Sequence, residues 1–177
     1  MKAVNCIGLS CLLLTSCHQA KEPEAALEAA VREISAEFAT VPRISTGELA
    51  TWLADSNREP PVLLDVREPG EYAVSHLPGA IRVAPDASTD QLHEQLDLSR
   101  PLVLYCSIGY RSSELAERLM AAGAKQAMNL EGSIFKWANE GRALIHDGQD
   151  TDKVHPYNRR FGRMLRASLR AESLPPK

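Results

Sequence analysis

Two apolar patterns alternate along the middle of the chain. Short runs dominated by apolar residues, Val62 to Val66, Ile81 to Val83, Leu102 to Tyr105 and Ala127 to Leu130, read as strands. Between them the spacing is helical. Leu49, Trp52 and Leu53 follow a capping box at Ser45-Thr46-Gly47-Glu48, and Leu115 and Leu119 share one face of a helix that Ser112 or Ser113 caps and Gly123 stops. Phe135 and Trp137 lie in a helix over residues 133–139, Glu68 to Val74 makes a short helix, and residues 86–98 form a polar helix or turn with Leu92 and Leu96 inward. Nearly continuous apolar strands separated by helices predict an α/β domain: a small central, mostly parallel sheet flanked by helices in three layers.

Both ends carry amphipathic extensions. In Lys21 to Ala39, residues Leu27, Val31, Ile34 and Phe38 fall at helical spacing, and so narrow a stripe favours packing on the domain over service as a spacer. From Lys153 to Arg170 there are six basic residues and no acidic ones, with Val154, Tyr157, Phe161, Leu165 and Leu169 at near-helical spacing. This basic tail can meet anionic lipid or a partner, or dock on its own domain. Docking onto the acidic first half, where residues 18–100 hold 7 basic and 15 acidic side chains, is favoured, because a lipid tether at Cys17 makes a second membrane signal unnecessary.

The first residues form a removable leader, with Lys2 as its charged start and Ile7 to Leu14 as an apolar core too short to span a bilayer. Leu14-Thr15-Ser16-Cys17 has the form of a bacterial lipobox, cut before Cys17, which then carries acyl chains. The chain thus divides into a signal peptide (1–16), a lipidated N-terminus with its helix (17–42), a central domain (43–147) and a basic extension (148–177). The implied location is the bacterial cell envelope, lipid-anchored and periplasm-facing. Export argues against a nucleic-acid partner. No phosphate-binding glycine loop or metal-ligand cluster stands in the sequence, and no cofactor is called for.

Removal of the leader and lipidation of Cys17 leave one free thiol, Cys106, at the end of the run Leu102 to Tyr105. At a strand-to-helix turn, the backbone N–H groups of residues 107–112 can converge on the sulfur and the helix adds its positive end. Arg111 brings a fixed charge to the same loop, and Ser107, Ser112 and Ser113 surround a position that a structural thiol would line with carbon. Such surroundings favour the thiolate. Asp65 and Arg67, at the end of another buried strand, fall on the same rim, where open parallel sheets bind ligands. His76 reads as a structural group in a tight turn.

Several segments in matching order resemble a single-domain rhodanese: Leu64-Asp65-Val66-Arg67-Glu68, Glu71-Tyr72, His76 to Ile81, Tyr105-Cys106 through Arg111-Ser112, and Leu130-Glu131-Gly132 before Trp137. The resemblance covers about residues 43–145 and implies the rhodanese α/β fold with a persulfide-forming Cys106. It further implies a small anionic sulfur donor such as thiosulfate, a thiophilic acceptor, and substrate contacts from Ser107, Ile108, Gly109, Tyr110, Arg111 and Ser112. Asp65 and Arg67 support the site in one of two ways: Arg111, with Arg67, pulls on the anionic donor, or Arg111 instead braces the loop through Asp65; the sequence does not separate these roles. Two departures stand out. Ser133 replaces a usual glycine, which alters that turn, and Ile108 and Tyr110 are bulky enough to narrow the choice of donor. A phosphatase is disfavoured because the loop from Cys106 to Arg111 is one residue shorter than in the related dual-specificity enzymes. A non-catalytic binding or sulfur-sensing module at the membrane remains the other reading; its protein partner is not given by the sequence.

Overall fold

The computed structural model describes residues 12–172, with side chains from residue 22 onward. The leader before residue 12 and the Cys17 side chain lie outside the described residues. Helix α1 spans Leu12–Glu37, starting earlier than the apolar stripe suggests and running through Pro23. Leu27, Ile34 and Phe38 are buried, so α1 packs on the domain rather than standing off it. Among the described residues no helix is long and apolar enough to cross a membrane.

The elements that follow are β1 (Arg43–Ile44), α2 (Thr46–Ala54), β2 (Val62–Asp65), α3 (Pro69–Val74), β3 (Ile81–Arg82), α4 (Thr89–Gln95), β4 (Leu102–Tyr105), α5 (Tyr110–Ala121), β5 (Ala127–Leu130) and α6 (Ser133–Asn139). Five parallel strands make one sheet in the order β1-β5-β4-β2-β3, flanked by helices. Strand β4 sits at its centre, with all four residues fully buried. Each buried leucine there contributes about 1.5–3 kcal/mol, so the strand that ends on Cys106 is held as firmly as any part of the chain. Asp65 lies opposite Tyr105 in the β2–β4 register, and the next residues of both strands leave the sheet on one rim.

Ser45 caps α2 as expected, accepting from the Glu48 N–H while Glu48 accepts from the Ser45 N–H. On the segment before β4, Leu92 and Leu98 are the buried residues, and Leu96 is only partly covered.

The tail departs from the expected helix. Strands β6 (Leu144–His146) and β7 (Gln149–Thr151) form an antiparallel hairpin. Its turn, Asp147-Gly148, has positive φ at both residues, the two-residue hairpin signal that the apolar spacing obscured. The chain at Pro156 and at Tyr157, which has φ +61°, is not helical, and beyond it two short 3-10 turns form, Phe161–Met164 and Ala167–Leu169. The segment docks, with Val154 and Leu165 buried. Asn139 of α6 donates to the Met164 carbonyl and accepts from the Arg166 N–H, while Arg166 pairs with Glu24 of α1 at 2.6 Å.

Candidate active site

Cys106 follows the last residue of β4 and is 2% exposed. The loop turns at once into α5, whose N-cap is Gly109 rather than Ser112 or Ser113. Gly109 has φ +118°, and a side chain there would press on the Asn129 amide at 3.0 Å. Only glycine fits this turn without strain. The turn aims the Gly109 N–H at Sγ, 3.2 Å away. On the other side of the loop, the Ile134 and Phe135 N–H groups at the start of α6 donate to the Cys106 and Ser107 carbonyls. Those helix-end donors need outside partners, and by taking the loop carbonyls they turn these oxygens away from the sulfur.

Arg111 is fixed by a residue that its sequence neighbourhood does not reveal. Glu71, buried on α3, receives two guanidinium bonds, at 2.7 and 2.8 Å, and a third bond from the Ser107 hydroxyl at 2.9 Å. Asp65 plays no part in this brace. Burial pushes the Glu71 carboxyl up, but the bonds and charge of Arg111 outweigh it and hold the carboxyl below its usual range. The Arg111 guanidinium is correspondingly raised. For Cys106 too, burial pushes the thiol up; the Arg111 charge, the Ser112 hydroxyl and the Ser112 and Gly109 N–H groups together bring it below its ordinary value. Thiolate formation is therefore easier here than burial alone would allow.

Ser112 links this site to β5. Its hydroxyl donates to Asn129 Oδ1 at 2.7 Å, and it has a single proton. In this arrangement that proton goes to Asn129, which leaves the Arg111 charge and the loop N–H groups as the main support for the thiolate. Ser133 is a second unforeseen contributor. It adopts φ +51°, a conformation glycine takes more easily, and its hydroxyl accepts from the Cys106 N–H and donates to the Leu130 carbonyl, both at 3.2 Å. The exchange of glycine for Ser133 therefore reaches the nucleophile's own backbone, beyond the turn it was expected to alter.

Arg67 does not face an incoming anion. It is fully buried, bonded in parallel to both oxygens of Asp65 at 2.8 and 2.6 Å and to the Ser75 carbonyl at 2.6 Å. The pair holds the β2 end and the segment before β3 together. His76 stacks on Tyr72, with its Nδ1 3.2 Å from the Tyr72 carbonyl, and its backbone bridges Ile145, as befits a structural histidine.

Above the thiol lies a pocket of about 340 Å³. Cys106, Ser107, Ile108, Tyr110 and Arg111 form its floor, and residues of α1 and of the tail form its walls. Ile108 and Tyr110 both reach it, where their bulk restricts the space. A larger cavity of about 690 Å³, between α1 and α6, contains no residue of the thiol loop.

A family model described as the rhodanese-like domain matches residues 46–140. The chain belongs to the rhodanese-like family. A sulfurtransferase of Allochromatium vinosum is 31% identical over 105 residues, 59% of this chain and 95% of that protein. The probable adenylyltransferase/sulfurtransferase MoeZ of Mycobacterium tuberculosis is 34% identical over 111 residues, 62% of this chain but only 28% of that longer protein. Among solved structures, a rhodanese-like domain protein from Staphylococcus aureus, 31% identical, superposes with a TM-score of 0.53 over 60% of this chain and 99% of its own. The matched residues thus hold four of the five strands, the thiol loop and the Glu71–Arg111 pair, while α1, β1 and the tail lie outside them.

Glu71 and Asn129 carried weak signals. Asn129 is the one polar residue of the strand Ala127–Leu130, a mark akin to the one that singled out Asp65. Glu71 belongs to the motif shared with rhodaneses, but its pairing with Arg111 joins residues 40 apart, which no local pattern predicts.

Proposed function

We propose that the protein is a sulfurtransferase that carries sulfane sulfur on Cys106, taking it from thiosulfate or a similar anionic donor and passing it to a thiophilic acceptor. The thiolate attacks the outer sulfur of thiosulfate; the S–S bond to the sulfonate breaks, its electron pair leaves with sulfite, and Cys106 becomes a persulfide anion. In the second step the acceptor attacks the terminal sulfur and the Cys106 thiolate leaves with the electron pair of the broken S–S bond. With cyanide as acceptor the product is thiocyanate. The Gly109 N–H and Arg111 stabilise negative charge that remains on sulfur through both steps, in a site that excludes most water. Acylation of Cys17, read from the lipobox-like Leu14 to Cys17, tethers this chemistry to the cell envelope on the periplasmic side.

The observation that carries this reading is the Cys106 thiol, buried yet held below its ordinary pKa by Arg111 and the loop N–H groups. Sulfurtransferase relatives in the rhodanese-like family support it. To test it, the detergent-solubilised chain is incubated with thiosulfate and the Cys106 peptide weighed before and after cyanide. One added sulfur, lost to cyanide with stoichiometric thiocyanate, is the expected result, and Cys106→Ser abolishes it. If Cys106 gains no sulfur from thiosulfate, mercaptopyruvate or a low-molecular-weight persulfide, the transferase reading is wrong and a binding role takes its place. Loss of the protein from the membrane fraction in Cys17→Ala tests the anchor.

A further inference from the structure

The walls of the thiol pocket come from the two segments that the family match leaves out. Ile34 and Glu37 of α1 stand on one side, and Tyr157, Arg160, Phe161 and Met164 of the tail on the other. These walls are anchored. Ile34 is buried, Glu37 accepts from the Tyr110 hydroxyl at 2.7 Å, and Phe38 meets the Tyr110 ring edge-on at 5.2 Å. On the tail side, the Met164 carbonyl is tied to Asn139, and Leu165 beside it is fully buried, its carbonyl taken by Arg170 at 2.8 Å. Tyr157 lies over the Arg111 guanidinium, 5.0 Å from it, and contacts Phe161 edge-on at 5.4 Å. It holds this place with φ +61°, strain that a tyrosine bears when its surroundings fix it.

We propose that α1 and the tail build the acceptor site, and that this site admits a small diffusible nucleophile while shutting out the thiol of a folded protein. The inference rests on the sulfurtransferase reading and deepens it. A space of about 340 Å³ suits a low-molecular-weight ligand. A protein acceptor would have to bring its sulfur to about 3–3.5 Å from the persulfide, which requires its backbone to enter between Tyr157 and α1. Charge on the walls is mixed, Glu33 and Glu37 on α1 against Arg160 on the tail, so size is the first filter.

Two measurements on the detergent-solubilised full chain test this, each read at the Cys106 peptide by mass spectrometry. The first compares labelling by N-methylmaleimide and by a polyethylene glycol maleimide, which share one reactive group; it needs no sulfur transfer, so it reports on the pocket even if the transferase reading fails. The small reagent should label at least about a hundredfold faster, and Tyr157→Gly, which suits the positive φ while removing the wall, should narrow that gap at least about tenfold. Phe161→Ala should narrow it too. The second loads Cys106 with sulfur and compares discharge by free cysteine with discharge by reduced thioredoxin; free cysteine should be much the faster. Equal labelling by the two maleimides, discharge to thioredoxin as fast as to cysteine, or a gap that neither variant narrows would overturn the proposal.

Discussion

Two arginine–carboxylate pairs stand at the ligand-binding end of this sheet, alike in chemistry and opposite in use. Arg67 and Asp65 are both 0% exposed, and the Arg67 Nη1 and Ser75 Oγ atoms beside them have no hydrogen-bond partner among the described residues. Arg111 and Glu71 form an equally tight pair, but the arginine side chain is 19% exposed and opens onto the thiol pocket. The first pair closes the frame, and its arginine is turned onto Asp65 and the Ser75 carbonyl. The second spends part of its charge on Cys106. What separates structure from chemistry here is the direction a guanidinium faces, which residue type alone does not reveal.

Removing Arg67 is the most drastic way to break this comparison. Arg67→Ala leaves the Asp65 carboxylate buried without its partner, and the expected loss is about 3–5 kcal/mol in urea unfolding. Sulfur transfer per folded molecule should be largely retained. Replacing both members, Arg67→Met with Asp65→Asn, should recover much of the stability, since no unpaired charge remains. If Arg67→Ala unfolds normally and yet abolishes transfer, the roles assigned to the two pairs are wrong.

Arg111→Gln is the converse. The persulfide-forming rate should fall about a hundredfold, because the variant lacks the main positive charge at the developing persulfide. The pH midpoint for alkylation of Cys106 should rise as well. Burial opposes the thiolate most strongly, and without Arg111 only hydrogen bonds remain against it. The stability cost should be the smaller of the two, about 1–3 kcal/mol, because Arg111 is itself partly exposed and Glu71 keeps its bond from the Ser107 hydroxyl. An unchanged alkylation midpoint would show that the loop N–H groups suffice.

These contrasts show what a linear chain can disclose. The strands, the α2 capping box and the placement of Cys106 were legible because each is a local pattern: an apolar run, a Ser-x-x-Glu spacing, a thiol followed by glycine and arginine. The brace on Arg111 was not: Asp65 was the carboxylate expected there, because the approach of Glu71 depends on how α3 folds back over the loop. Ser133 was visible as a departure from the rhodanese motif, but its reach to the Cys106 N–H depends on the start of α6 meeting the end of β4. The tail misled in another way. Its apolar spacing imitates a helix, while the chain forms a hairpin at Asp147-Gly148 and short turns beyond Pro156.

Glu71→Gln sharpens the comparison through pH. The Glu71 carboxyl lies below its ordinary range in the folded chain, so its stabilising effect is complete above the unfolded value of about 4.3 and is lost as pH falls through the lower, folded value. At neutral pH the variant should be about 1–2 kcal/mol less stable than the native chain, and the difference should shrink on acidification below the carboxylate range. Chemical unfolding at a series of pH values gives the curve. A constant difference would mean that Glu71 acts through packing and its bond from Ser107, with its charge irrelevant.

The smallest effect is expected at Ser133, where two terms oppose each other. Ser133→Gly relieves the positive φ, a gain of about 0.5–1 kcal/mol at a position glycine adopts freely. It also removes the hydroxyl that receives the Cys106 N–H, a loss of about 0.5–1.5 kcal/mol. Net stability should therefore change by less than about 1 kcal/mol, within the scatter of ordinary substitutions. Reactivity need not balance in the same way, because the Cys106 N–H is then free to turn toward its own sulfur or to water. A few-fold change in alkylation rate at fixed pH, with stability nearly constant, would identify Ser133 as a positioning residue for the nucleophile. Ser133→Ala separates the terms: it keeps the strained backbone and loses the bond, so it should be the least stable of the three chains, with the alkylation rate of the glycine variant. If alanine and serine react alike, the hydroxyl is only filling space beneath the loop.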